Sequence, residues 1–352
     1  MWERGADFQE GARRRWTMSA NKVRERSASS DRVKTGKRLQ LNKPFLISFL
    51  VSVLLSLSLL PLWWFQRSSG EVEISPQVFV TEPEIRPAIP LHVNAQVEYW
   101  LEEFRTTRNH ELLDLLGRQG LFDTLIRGKL QQRGMPEDLV YLAMIESGFS
   151  PWAVSQVSAV GLWQFMGPTA LQFGLRVDNY IDERRDPVRA TDAALDYLEY
   201  LYTRFDSWYL AAAAYNAGPG RVERILKRHA KGRIGDEEIY WEVLRYLPRE
   251  TRNYVPRLIA VSILAADAKA SGVKILPEAP YEYDMVFVPG ETYLSAVAES
   301  LGVRERVLQD LNPHLTRGLT PPNEIYEVRV PKGGSSTVVA SLAPRRLVST
   351  SD

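Results

Sequence analysis

The chain has 352 residues, a formal net charge of +1 and no cysteine. This length accommodates about two domains with accessory segments, and the balanced charge gives no support for nucleic-acid binding by the chain as a whole. The absence of cysteine excludes disulfides, a thiol nucleophile and cysteine-ligated metal sites.

The first segments of the chain have the pattern of a membrane anchor. Residues 1–43 form an arm that is rich in Arg and Lys and has few acids. Residues 44–65 carry no charge, reach about the ~20 residues needed to cross a bilayer, and end in two tryptophans and a phenylalanine. We predict a basic cytoplasmic tail over 1–43 and an uncleaved transmembrane helix over 44–65, with everything after Arg67 outside the cytoplasm.

Two alternatives compete with the anchor. A cleaved signal peptide is disfavoured because the segment before the apolar run is very long and no A-x-A-like cleavage site follows it. A buried core helix is disfavoured because such helices rarely run this long without a residue more polar than serine. If translation starts at Met18 rather than Met1, the basic arm shortens and the topology is unchanged.

Residues 66–92 are predicted to be a linker. Four prolines recur there among glutamate, serine and valine residues, at positions 76, 83, 87 and 90. This spacing favours extended backbone with little packing. The linker would hold the following domain away from the membrane surface.

The rest of the chain separates into a helical domain and a smaller module. From Val93 to about Gly272, apolar residues recur at three- and four-residue steps, which predicts an all-α domain of about 180 residues. From Tyr281, "YEYDMVFVPG" and "EIYEVRVP" predict strands, and "ETYLSAVAESLG" and "VRERVLQDLNP" between them predict short helices. Residues 333–352 are small and polar and are predicted to be disordered. The four histidines are scattered, so we expect no metal site and no cofactor.

One isolated carboxylate in the helical domain is a candidate for catalysis. Glu146 is the only acid between Asp138 and Asp178. "GMPEDLVYLAMIES" predicts a helix that begins near Pro136 and ends at Gly148, with Glu146 in its last turn. A helix C-terminus and apolar neighbours both raise a carboxyl pKa, as a general acid requires. A solvated surface glutamate at a helix end is the alternative.

Two later segments supply residues suited to a saccharide groove. In "SAVGLWQFMGPTALQFGL", Gly161 permits close backbone approach and Gln164 offers both a donor and an acceptor. "LAAAAYNAGPGRV" predicts a helix of small residues that ends at Tyr215 and Asn216. Because sugars present apolar faces and hydroxyl edges, aromatic and amide side chains beside an isolated acid indicate a glycan-binding cleft.

These motifs resemble a known enzyme family. "ESGFSPWAVS", "GLWQFM" and "AAYNAGPGRV" are similar to motifs of the lytic transglycosylases of bacterial cell walls. "GMPEDLVYLAMIESGF", "DERRDP" and "ETRNYVPRL" narrow the resemblance to the membrane-bound lytic murein transglycosylase D type. The resemblance implies a mainly α, goose-lysozyme-like catalytic domain over 93–280, anchored in the inner membrane and facing the periplasm. It also implies that residues 281–332 are one divergent LysM-like module, small and α+β.

The resemblance also implies roles for particular residues. By motif position, Glu146 is expected to be the catalytic acid/base. Seven further residues are expected to contact the glycan or to support the glutamate: Ser155, Gly161, Gln164, Met166, Tyr215, Asn216 and Tyr254. Ser158 stands where the family usually has glycine, so we expect it to tighten that turn.

A single carboxyl group suffices if the substrate supplies the second reacting group. The family activity is cleavage of the MurNAc–GlcNAc bond of peptidoglycan by attack of the sugar's own C6 hydroxyl, which leaves 1,6-anhydro ends. Asp182, Glu183 and Asp186 of "DERRDP" could offer a second carboxylate, but they lie among arginines, which favours a salt-bridged helix start. The alternatives are a muramidase that hydrolyses the same bond and a non-catalytic peptidoglycan-binding envelope protein.

Overall fold

The computed structural model describes residues 86–342. The predicted basic tail, the predicted transmembrane anchor, most of the predicted linker and residues 343–352 lie outside this range. Within residues 86–342, no helix is both long and apolar enough to cross a bilayer.

The first part of the described chain is a bundle of nine α-helices joined by turns and three short 3₁₀ segments. Its helices are α1 Ala95–Arg105, α2 Asn109–Gln132, α3 Val140–Ser147, α4 Gly167–Gln172, α5 Pro187–Phe205, α6 Trp208–Ala217, α7 Pro219–His229, α8 Glu238–Val243 and α9 Arg249–Ala270. The 3₁₀ segments are Glu137–Leu139, Glu183–Arg185 and Leu244–Tyr246. The predicted all-α domain is confirmed.

The central helices follow from local sequence signals. Helix α5 begins where the Asp186 side chain accepts the backbone N–H groups of Val188 and Arg189, and Pro187 occupies its first position. Helix α6 begins where the Ser207 side chain accepts the N–H of Leu210, and its residues from Trp208 to Ala214 are all buried. Helix α9 packs against α1, α3 and α6. The core of the bundle therefore surrounds α6, and its small side chains let the neighbouring helices approach closely.

The C-terminal module is a two-stranded antiparallel sheet with helices on one side. Strand β1, Asp284–Val288, pairs with β2, Tyr326–Val330, with Val286 opposite Val328. Helices α10 Leu294–Leu301 and α11 Glu305–Leu311 lie between the strands in sequence, and α12 Ser335–Leu342 follows them. The predicted order of strand, two helices and strand is confirmed.

The prediction that disorder begins at residue 333 is wrong for the first part of that segment. Ser335–Leu342 forms helix α12, and the side chain of Val338 is completely buried in the module core. The segment is small and polar in composition, so its order depends on this tertiary contact and not on a local signal.

The module packs directly onto the bundle. Ile181, from the loop before α5, is completely buried and belongs to the apolar core of the module. Its backbone forms an antiparallel bridge with Leu315, and the N–H of Asp182 donates to the carbonyl of His314 at 2.9 Å. The loop that precedes α5 is thus shared between the bundle and the module.

Candidate active site

Glu146 lies in the last turn of α3, as predicted. Gly148 ends the helix in the left-handed conformation at φ 60°, and its N–H donates to the carbonyls of Ala143 and Met144. The preceding residues of α3, from Val140 to Met144, are buried in the bundle, whereas Glu146 is half-buried. Helix α3 therefore presents one carboxylate at its end from an otherwise apolar segment.

Helix α9 supplies the groups that face Glu146. The hydroxyl of Tyr254 donates to Glu146 Oε1 at 2.6 Å. Glu250 precedes Tyr254 by one helical turn, so both side chains lie on the same face of α9. Arg257 follows on that helix, with its guanidinium carbon 5.3 Å from the centre of the Trp100 ring.

This environment raises the pKa of Glu146 to about 7. Burial is the main cause, since it disfavours the charged carboxylate, and the negative charge of Glu250 adds to it. The Tyr254 hydrogen bond and the charge of Arg257 act in the opposite direction. A carboxyl group with this pKa can donate a proton near neutral pH and later accept one.

Asn216 and Tyr215 connect the helices that surround Glu146. Asn216 Nδ2 donates to Glu250 at 3.0 Å, and its Oδ1 accepts the hydroxyl of Thr251 at 2.7 Å. The hydroxyl of Tyr215 donates to the carbonyl of Trp163 at 2.8 Å. These contacts hold α6 against α9 and against the turn that follows α3.

Four of the predicted residues belong to one tight turn after α3. Two hydrogen bonds join Ser155 to Ala159 within this turn. The backbone N–H of Ser155 donates to the Ala159 carbonyl at 2.9 Å, and the Ser155 hydroxyl accepts the Ala159 N–H at 3.0 Å. Gln164 Nε2 donates back to the Gly161 carbonyl at 2.9 Å, and Met166, which follows, is 42% exposed. The turn is tied to α3 by the Ser147 hydroxyl, which donates to the carbonyl of Leu162 at 2.7 Å.

Gly161 and Ser158 both have positive φ in this turn. Gly161 has φ 83°, and a Cβ there would lie 1.8 Å from the carbonyl oxygen of Arg184. Only glycine fits this approach. Ser158 has φ 64°, a conformation that favours glycine, the residue usual at this position in the family it resembles.

The "DERRDP" carboxylates are engaged in structural contacts. Asp182 accepts Arg184 Nε and Nη2 at 2.8 Å each, and Glu183 accepts the N–H of Arg176 at 2.7 Å. Asp186 caps α5 and pairs with Arg329 of the module. The interpretation as a salt-bridged helix start is confirmed.

Glu250 and Arg257 also belong to the site, although neither was predicted from the sequence. Both lie in or beside the quoted motif "ETRNYVPRL", and both shift the pKa of Glu146. Their spacing from Tyr254, four residues before and three after, places all three on one helical face and could have revealed them.

Comparison with known proteins identifies two domains. Residues 124–236 match the family model of the transglycosylase SLT domain, and residues 282–346 match that of the LysM-like domain of the lytic transglycosylase MltD. The second match includes helix α12.

Individual relatives and one solved structure are similar to parts of this chain. The membrane-bound lytic murein transglycosylase D of Escherichia coli strain K12 is 33% identical over 221 residues, which cover 62% of this chain and 48% of that protein. The soluble lytic murein transglycosylase of the same strain is 36% identical over 124 residues, 34% of this chain and 19% of that protein. The structure of the 70 kDa soluble lytic transglycosylase SLT70 from Escherichia coli aligns with 26% identity and a TM-score of 0.36, over 51% of this chain and 29% of that one.

The chain spans about half the length, 48%, of the transglycosylase D relative. In this chain the transglycosylase SLT match comes first and the LysM-like match second. The chain therefore carries a transglycosylase SLT domain followed by the LysM-like domain of the MltD type, and it is similar to the membrane-bound lytic murein transglycosylases D.

Proposed function

We propose that this protein is a lytic transglycosylase that cleaves the MurNAc–GlcNAc bond of peptidoglycan and leaves 1,6-anhydro-MurNAc ends. The observation that carries the proposal is the half-buried carboxyl of Glu146, with a pKa raised by burial to about 7 and a hydrogen bond from Tyr254. The SLT-domain match and the transglycosylase D relative support the same activity.

In the proposed reaction one carboxyl group acts twice. Protonated Glu146 donates its proton to the glycosidic oxygen as the bond to C1 of MurNAc breaks, and the N-acetyl group of that sugar stabilises the developing cation. The C6 hydroxyl oxygen then bonds to C1, and the Glu146 carboxylate takes the hydroxyl proton. The acid is regenerated and no water is consumed.

The other residues have supporting roles in this proposal. Tyr254 orients the Glu146 carboxyl through its hydrogen bond, and Asn216 restrains Glu250 beside it. Tyr215 holds the turn after α3 against α6. The residues proposed to line the glycan cleft on this turn are Ser155, Gly161, Gln164 and Met166.

Hydrolysis is the second candidate, and Glu250 is the observation that favours it. Its charge acts on Glu146, so it is close enough to be considered as a second carboxylate that activates water. Its hydrogen bond from Asn216 argues for a fixed, supporting position instead.

We also propose that the protein is a single-pass inner-membrane protein with its catalytic domain in the periplasm. The basic arm and the uncharged segment 44–65 support this topology, as does the membrane-bound description of the transglycosylase D relative. A reporter fused near Pro90 should be active only outside the cytoplasm, and activity inside would contradict the topology.

Mass spectrometry of muropeptides released from purified sacculi tests the activity. The wild-type protein should release anhydro products, and Glu146→Gln should lower the rate by about 10⁴ or more, since one residue performs both proton transfers. Glu238→Gln, an exposed glutamate of α8, is the matched control and should retain activity. Products heavier by one water would show a muramidase, and the absence of any product would indicate a non-catalytic wall-binding protein.

A further inference from the structure

A pocket separate from the proposed glycan cleft lies between the helix bundle and the C-terminal module. It has a volume of about 550 Å³, within the usual range for small-ligand sites. Its walls come from α2, from the turn after α3, from residues 278–282, from α11 and from residues 331–332. Glu146 does not line it. The pocket is therefore distinct from the immediate surroundings of Glu146.

Arg118 of α2 connects this pocket to the helix that carries Glu146. Its guanidinium packs against Gly148, where a Cβ atom would lie 3.2 Å from Arg118 Nη1. Arg118 also lines the pocket and is half-buried. Among residues 86–342, its guanidinium has no hydrogen-bond or ion-pair partner. A guanidinium in this position is available to a carboxylate, with which it forms strong paired hydrogen bonds.

Aromatic side chains form the apolar wall of the pocket. Trp152 is 37% exposed, and its ring is held by two cations, with the guanidinium carbons of Arg306 at 4.9 Å and Arg185 at 5.9 Å from the ring centre. Phe149 and Tyr281 line the same space. The lining also includes three acids, Glu278, Glu282 and Asp310, and a second cation, Lys332. A ligand that fits this lining has an apolar body, a carboxylate that reaches Arg118, and amide or ammonium donors for the acids.

We propose that this pocket binds the stem peptide of the glycan strand, with a peptide carboxylate on Arg118 and the peptide body against Trp152 and Phe149. The proposal rests on the proposed function. The stem peptide is attached to MurNAc, the sugar whose C1 bond would be cleaved at Glu146. Phe149, the first pocket-lining residue after the helix cap, follows Glu146 by three residues in the chain.

A structural role for Arg118 is the competing explanation. A cation near the C-terminal end of α3 would stabilise that helix through its dipole, with no ligand involved. This role predicts equal effects of an Arg118 substitution on every substrate. A peptide-binding role predicts an effect only where the substrate carries a peptide.

Steady-state kinetics of the full chain on two matched substrates test the proposal. The substrates are uncross-linked glycan strands with stem peptides and the same strands after an amidase has removed the peptides. We expect Arg118→Ala to lower kcat/KM by about tenfold or more on the peptide-bearing strands and by less than about twofold on the peptide-free strands. Arg118→Lys, which keeps the charge, should lose less, and Trp152→Leu should show the same substrate dependence as Arg118→Ala.

The control is Arg105→Ala, an exposed arginine of α1 outside the pocket, which should behave as wild type on both substrates. Turnover of peptide-free strands reports whether each variant is folded. Equal losses on both substrates, no loss on either, or a loss confined to peptide-free strands would overturn the pocket proposal while the proposed function stands. If the wild-type protein releases no anhydro product from either substrate, the proposed function fails and the pocket proposal fails with it.

Discussion

Arg329 in the C-terminal module donates from Nη2 to both carboxylate oxygens of Asp186 in the bundle, at 2.9 and 2.7 Å. Asp186 is completely buried and Arg329 is 4% exposed. Because Asp186 also caps α5, this ion pair fastens strand β2 to the first turn of a core helix. We conclude that the module is part of the same compact structure as the bundle.

Arg329→Met should destabilise the protein by about 3–5 kcal/mol. The substitution leaves the buried carboxylate of Asp186 without its bidentate partner, and breaking a buried pair on one side costs about this much. Urea unfolding of the purified protein measures it. The control is Arg204→Ala, which breaks an exposed pair with Glu223 and should cost less than about 1 kcal/mol. Equal, small losses in both variants would show that the pair contributes little.

The pKa of Glu146, raised by burial to about 7, predicts the pH dependence of activity. The general acid must be protonated when the substrate binds, so turnover should fall as the pH rises through about 7. Glu250→Gln removes a like charge, which lowers the pKa of Glu146 and moves this alkaline limb to lower pH. The kcat/KM profile for anhydro-product release measures the shift, and Glu238→Gln should leave it in place. If the alkaline limb of Glu250→Gln stays at the wild-type pH, a group other than Glu146 controls it.

Tyr254→Phe should move the alkaline limb of the kcat/KM profile to higher pH. The Tyr254 hydroxyl stabilises the ionised form of Glu146 and thereby lowers its pKa, so its removal raises the pKa further. Loss of this charge-assisted hydrogen bond should also lower kcat about 10- to 100-fold. Tyr209→Phe, which removes a buried hydroxyl bonded to the Pro90 carbonyl, is the control and should change neither quantity. A limb that moves to lower pH in Tyr254→Phe would contradict the assigned role.

The same raised pKa predicts a pH dependence of stability. The folded state holds the Glu146 proton more tightly than the unfolded chain, so this contribution to stability is present below the ordinary value of 4.5 and is lost as the pH rises towards about 7. The glutamine in Glu146→Gln cannot ionise, so this variant does not lose stability over this pH range for that reason. The Tm of Glu146→Gln minus that of wild type should therefore increase between about pH 5 and pH 8. A constant difference would indicate that the carboxyl has an ordinary pKa.

The parts of the structure that the sequence predicted are those that local signals determine. The position of Glu146 follows from a helix that begins after Pro136 and ends at Gly148, and the module strands follow from alternating valines. The order of helix α12 depends on the burial of Val338 in a core built elsewhere in the chain. Likewise, the pairing of Asp186 with Arg329 joins residues distant in sequence, and no periodicity indicates it.

The active-site residues divide in the same way. The sequence motifs predict the Glu146 carboxylate and the turn after α3. The charges that shift the pKa of that carboxylate, Glu250 and Arg257, lie on another helix, α9. Glu250 faces Glu146 only because α9 packs against α3. Helical spacing shows that Glu250 and Tyr254 lie on the same face of α9. Only the packing of α9 against α3 shows that this face contacts Glu146.

Gly161→Ala tests how closely the turn after α3 depends on the loop before α5. Gly161 has φ 83°, and an added Cβ would lie 1.8 Å from the Arg184 carbonyl oxygen, so the two backbones must separate. Because backbone atoms cannot yield as a flexible side chain does, we expect a loss of about 3 kcal/mol or more in stability and of most activity. Gly167→Ala is the matched control, since a Cβ there meets no atom within 4 Å, and it should be close to neutral. Urea unfolding and anhydro-product release measure both variants, and a stable, active Gly161→Ala would show that the turn does not require this contact.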